Sequence, residues 1–146
     1  MPKGKVKAVC ISEEKGVQKH EVDEVYLKVD YGIVGDAHAG NWHRQVSLLA
    51  AESIAKTQKA LDYKLANGDF AENIVTEGLV LFTLPVGTKL QIGEAEGVIT
   101  QIGKECHKGC AIRELAGDCV MPREGIFIKV LKPGKVKPGD DIKVLP

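Results

Sequence analysis

The chain has 146 residues, 44% apolar and 27% charged, which fits one globular domain over 1–146 with a single sizeable core. Lysine and arginine (20) balance aspartate and glutamate (20), so no overall field draws the chain to nucleic acid or a membrane surface, and an anionic partner must be held by a local basic cluster. No apolar run nears the roughly 18 residues of a membrane-spanning helix, and Met1 to Val6 lacks the apolar run of a signal peptide. A cytoplasmic location is therefore expected, where the four cysteines (Cys10, Cys106, Cys110 and Cys119) are free, metal-bound or catalytic rather than disulfide-linked.

Lys5 to Ile11 alternates apolar and polar residues and predicts a strand, with Cys10 as packing. Ser12 to Gly16 reads as a charged turn. Lys19 to Val29 alternates again and is expected to pair with the first strand as a hairpin. Tyr31 to Val46 then gathers glycines with His38, Asn41, Trp42, His43, Arg44 and Gln45, the composition of an irregular binding loop. Val46 to Leu49 predicts a short strand. Ala50 to Leu65 is the one good helical stretch, with Ile54, Gln58, Leu61 and Leu65 at helical spacing and Asn67-Gly68 closing it. Phe70, Ile74 and Val75 are candidate core, and Asn73 is a ligand contact or a turn cap.

Three further strands are expected at Leu79–Phe82, Lys89–Ile92 and Gly97–Ile102, with Pro/Gly turns between them. Ile112 to Ala116 suggests a helical turn. Gly125 to Leu131 reads as a strong strand, Lys132 to Asp141 as a turn-rich connector, and Ile142 to Leu145 as the last strand. Many short strands with one helix predict a mainly β fold, a single β-barrel with one or two helices.

The chemistry concentrates in Gln101 to Cys110, where two thiols, His107, Lys104 and Lys108 follow a strand. A thiol reacts and binds metal as the thiolate, which nearby positive charge favours, so Cys106 is the candidate centre; the alternative is small buried residues after a strand. Zinc through Cys106, His107, Cys110 and Cys119 lacks the usual paired knuckles, and a Cys-His-Asp relay of Cys106, His38 or His43, and Asp36 has no local signature. A soft-metal ligand or a persulfide carrier on Cys106 suits a basic surround of Lys104, Lys108, Arg113, Arg123 and the His/Arg loop, which would bind a phosphorylated ligand.

Gly32 to Gly40 followed by His43 to Leu49 resembles the opening signature of the MOSC domain, named for the C-terminal part of molybdenum cofactor sulfurase. Gly68 to Ile74 resembles its middle motif, Thr100 to Cys106 its cysteine motif, and Arg123 to Phe127 through Gly139-Asp140 its closing strands. The resemblance implies a barrel of the pyruvate-kinase type and binding of molybdenum cofactor (molybdopterin), a pterin with a dithiolene and a phosphate. It implies that Cys106 is the metal ligand or sulfur carrier. It also implies that His38, Arg44, Gln45 and Asn73, with Lys104 beside Cys106, hold the pterin and its phosphate. Family sulfurases add a pyridoxal-phosphate domain, and relatives that reduce N-hydroxylated compounds add another barrel. This chain has neither, so a free-standing cofactor or sulfur carrier is the reading taken. A sulfur transferase, a molybdenum-dependent reductase and a small zinc or thiol module remain the alternatives. Expected partners are cofactor-biosynthesis or sulfur-donor proteins, with no nucleic acid and no membrane.

Overall fold

The computed structural model describes residues 3–14, 17–103 and 124–146. Its elements run β1 (Lys3–Ile11), β2 (His20–Val22), β3 (Val25–Lys28), β4 (Gly32–Ile33), β5 (Val46–Ala50), α1 (Ala51–Gln58), β6 (Ile74–Glu77), β7 (Lys89–Ile92), β8 (Ala95–Ile102), β9 (Ile126–Lys132), β10 (Gly134–Val136) and β11 (Asp141–Val144). Seven strands close into a mixed barrel in the order β1-β6-β5-β9-β8-β7-β11 and back to β1. Closure leaves no barrel edge unpaired. β2 extends the far part of β1, and β10, β3 and β4 form a separate antiparallel sheet.

The side-chain alternation of β5 and β9 explains how the barrel is filled and covered. Val46, Leu48, Ala50, Ile126, Ile128 and Val130 point into the main core, which also takes Val25, Leu27, Ile33 and Val136 from the small sheet. Leu49 and Phe127 point the other way, onto a second cluster with Leu65 and Phe70 that Ile54 and Leu61 flank. Every β5 side chain is buried, as expected of a strand covered on both faces. Gly97 lets β8 pack closely on β9, since a Cβ there would stand 2.6 Å from Ile128 Cδ1 and 3.1 Å from the Lys129 carbonyl oxygen.

The mainly β barrel, with one α-helix among the described residues, agrees with the sequence, but several local expectations do not. Lys19 to Val29 is not one strand. β2 pairs with β1, whereas β3 turns away to β10 and β4. The helix ends at Gln58, because that side chain accepts from the Leu65 amide (2.7 Å) and donates to the Tyr63 carbonyl (2.8 Å), replacing further helical turns. Leu61 and Leu65 still join Ile54 in one cluster, reaching it from the loop. Leu81–Thr83 is a 3₁₀ turn rather than a strand, and the strand lies earlier, at β6. β6 runs parallel to β5, with α1 and the following loop as the crossover. The turn expected at 112–116 falls outside the described residues, as do Lys104, Cys106, His107, Lys108, Cys110, Arg113, Cys119 and Arg123. Among the described residues, no helix is long and apolar enough to cross a membrane.

Candidate functional site

The loop from β4 to β5 is held in shape by its own polar groups. Gly35 takes a φ of +90°, a backbone conformation that glycine adopts readily. Asp36 then acts as an internal anchor. Its Oδ1 accepts from the Ser12 amide (3.1 Å) and its Oδ2 from the His38 amide (3.1 Å). The Ala37 amide donates to the Ser12 carbonyl (2.8 Å), tying the loop to the end of β1.

Beneath this turn Lys19 pairs with Asp36 at 2.7 Å, both side chains 0% exposed. The Lys19 ammonium also reaches Ser12 Oγ (3.0 Å) and His38 Nδ1 (2.9 Å). Lys19 is itself fixed by Gly68, whose carbonyl accepts from the Lys19 amide at 2.9 Å. Gly68 has a φ of +95°, and a Cβ there would overlap the Lys19 carbonyl oxygen. The middle motif therefore needs glycine for the close approach of two backbones.

The second half of the loop folds around Trp42. Its indole N–H donates to the His38 carbonyl (2.8 Å), and the His43 ring meets it edge-on at 5.7 Å. The Arg44 guanidinium carbon lies 4.8 Å from the Trp42 ring and 5.7 Å from the Phe127 ring of β9. Such stacking favours a cation whose charge is delocalised over a plane. Arg44 Nε is buried without a hydrogen-bond partner. His43 reaches β8: its Nε2 is 3.0 Å from Gln101 Oε1, and its carbonyl accepts from Thr100 Oγ1. Gln101 in turn donates to the Gly103 carbonyl (2.7 Å), and the Gly103 amide to the Gly125 carbonyl (2.6 Å). Gly103 and Glu124 flank the segment that carries Lys104 and Cys106, both outside the described residues.

The structure thus brings His38 and Arg44 together through Trp42. Two other expected ligand contacts are engaged within the protein. Asn73 is 1% exposed; its Oδ1 accepts from the Ser47 amide (3.0 Å) and hydroxyl (3.2 Å), and its Nδ2 donates to the Cys10 carbonyl (3.1 Å). Gln45 is 0% exposed and accepts from the Val130 amide at 2.9 Å, while its Nε2 is buried without a partner. Asp36 orients neither imidazole ring as a catalytic relay would require, since its contact with His38 is to the backbone.

Buried ionisable groups lie beside this loop. Burial pushes the Cys10 thiol up to about 12, with the Glu72 carboxylate adding to the effect, so Cys10 stays an unreactive thiol. Burial likewise raises Glu72 to about 7, although it accepts from the Gly68 (3.1 Å) and Phe70 (3.0 Å) amides. Across the barrel, Glu124 holds α1 by accepting from Ser53 Oγ (2.6 Å) and the Lys56 ammonium (2.9 Å). Lys19 and Ser12 lie in no motif, and Glu72 and Glu124 lie inside the middle and closing motifs without being singled out there. Only their burial marks them.

A family model described as the MOSC domain matches residues 35–143. No curated protein matches the chain. Among solved structures, the YUAD protein from Bacillus subtilis is 19% identical with a TM-score of 0.80, covering 97% of this chain and 95% of that one. YiiM from Geobacillus stearothermophilus is 16% identical with a TM-score of 0.72, covering 99% and 76%. YiiM from Escherichia coli is 19% identical with a TM-score of 0.69, covering 99% and 70%. At these identities the likeness is one of fold.

Proposed function

Because this chain belongs to the MOSC domain family, we propose that it binds molybdenum cofactor and carries it, or sulfur destined for it, through Cys106. The observation that supports this most is Arg44. Its guanidinium stacks between Trp42 and Phe127, and its buried Nε has no protein partner. A planar cation with an uncommitted donor suits a phosphate group. The same Trp42 holds the His38 backbone carbonyl, which keeps His38 in this loop beside Arg44. Gln45 and Asn73 then contribute by shaping the loop and the strands under it, and Lys104 adds positive charge two residues before Cys106.

When bound, the cofactor supplies a molybdenum centre with affinity for soft sulfur ligands. The chain's own part is to grip the phosphate, seat the pterin and offer one thiolate. In the carrier role the Cys106 thiolate attacks the outer sulfur of a donor persulfide. The donor's S–S bond breaks, the donor leaves as its thiolate, and Cys106 keeps the sulfur as a persulfide. The partners are then proteins that supply or accept cofactor or sulfur.

The test is to purify the chain from molybdate-replete cells and measure bound molybdenum and pterin, before and after added cofactor. Trp42 is the single tryptophan, so its fluorescence follows binding at the loop. Wild type should retain both. Arg44→Ala should lose the pterin, and Cys106→Ala should lose the metal or the added sulfur seen by intact mass spectrometry. A wild-type chain that retains neither, with cofactor in excess, refutes the reading.

A further inference from the structure

We propose that Gln101 is a positioning residue that holds the neutral His43 ring with its proton on Nε2, so that Nδ1 offers a lone pair to an N–H group of the ligand. A side-chain amide donates from its nitrogen and accepts at its oxygen, and its neighbours decide which way it points. Gln101 Nε2 lies 2.7 Å from the Gly103 carbonyl oxygen, which can only accept. Turning the amide over would set two oxygens against each other, so Gln101 Oε1 is the atom that faces His43. His43 Nε2 stands 3.0 Å from that oxygen. An amide oxygen has no proton to give, so the bond requires the proton on Nε2. In the neutral ring the lone pair is then on Nδ1.

Two further contacts keep the ring in place. The His43 carbonyl accepts from Thr100 Oγ1 of β8, and the ring meets Trp42 edge-on with centroids 5.7 Å apart. His43 is exposed, and its Nδ1 has no hydrogen-bond partner among the described residues. An open imidazole lone pair suits a metal ion or an N–H group. The Arg44 guanidinium carbon lies 4.8 Å from the same Trp42 ring, so a second cation beside it is disfavoured. Among the described residues no three imidazole, thiol or carboxylate groups come together to hold a metal. Nδ1 therefore takes a neutral N–H donor, on a molecule whose anionic group reaches Arg44. A nitrogen heterocycle that carries both an N–H and a phosphate meets these terms. That the heterocycle is the pterin of molybdenum cofactor rests on the proposed function; the state of the ring does not.

Long-range proton–nitrogen correlation NMR of the full chain reads both ring nitrogens. At about pH 8, above the ordinary range of imidazole, His43 should show a protonated Nε2 and an unprotonated Nδ1. A protonated Nδ1 overturns the proposal. Gln101→Leu removes the acceptor and should let a measurable share of Nδ1-protonated ring appear. A ring unchanged from wild type would take Gln101 out of the role. Cofactor titrations followed by Trp42 fluorescence test the lone pair. His43→Asn, whose amide oxygen can take the place of Nδ1, should bind within about threefold of wild type, and His43→Leu about tenfold more weakly. Equal affinity in the two variants, tight or weak, overturns the acceptor assignment. Zinc ion added alone is the control: zinc held by wild type and lost in His43→Leu would make Nδ1 a metal ligand and overturn the choice of an N–H donor. If wild type binds no cofactor while the ring is found as assigned, the cofactor reading fails and the Gln101 assignment stands.

Discussion

Asn73 joins the segment before β6 to β5 through one side chain, with its Oδ1 3.0 Å from the Ser47 amide and 3.2 Å from the Ser47 hydroxyl. Its Nδ2 reaches the Cys10 carbonyl of β1 at 3.1 Å, so a single residue fastens three barrel strands. Asn73→Ala removes these bonds in a site closed to water. A loss of about 2–4 kcal/mol in urea unfolding is expected, with an unchanged dependence on denaturant. A variant as stable as wild type would mean that the amide serves a ligand and not the strands.

The Lys19–Asp36 pair should behave asymmetrically. Lys19→Met alone leaves a buried carboxylate with two amides but no cation, at a cost of about 3–5 kcal/mol. Adding Asp36→Asn should recover most of that loss, because a neutral amide needs no counter-charge. Thermal or urea unfolding of the single and double variants measures the difference. Additive losses would show that the two groups do not act as a pair.

Stability should carry a pH signature of Glu72. Burial raises its carboxyl from 4.5 to about 7 in the folded chain, against the opposing pull of the Gly68 and Phe70 amides. The folded chain thus keeps a proton that the unfolded chain gives up. The resulting stability is fully present below about pH 4.5 and is lost as pH rises towards about 7, on the order of 3 kcal/mol in all. Other groups titrate in the same window, so the quantity to measure is the difference between wild type and Glu72→Gln. That difference should move in favour of the variant as pH rises from 4.5 to 7 and then level off. Parallel profiles would place Glu72 in contact with water.

Arg44 separates charge from shape. Arg44→Lys keeps a cation but loses the plane that stacks on Trp42 and Phe127. Cofactor affinity should fall about tenfold in Arg44→Lys and further in Arg44→Ala, while stability changes by less than about 1 kcal/mol. Trp42 fluorescence and urea unfolding report the two effects separately. Equal affinity in all three chains would take Arg44 out of the phosphate contact.

The barrel could be read from the sequence because its signals are local. Lys5 to Ile11 and Lys89 to Ile92 alternate with period two, Gly125 to Leu131 is a short apolar run, and Pro/Gly turns lie between the strands. The His/Arg loop was legible for a similar reason, since polar donors and glycines crowd one short stretch. Helical spacing in Ala50 to Leu65 found the right packing partners but the wrong conformation beyond Gln58, because periodicity reports which side chains share a face and not what holds the backbone.

The tertiary structure decided which polar residues became buried partners. Lys19 meets Asp36 across 17 positions, Ser53 meets Glu124 across 71 and Val130 meets Gln45 across 85. No composition or spacing marks these pairs, because the partners lie far apart in the chain and meet only when the barrel closes. Closure removes water from both partners at once, and only then does an unpaired charge or amide become costly enough to dictate its neighbour.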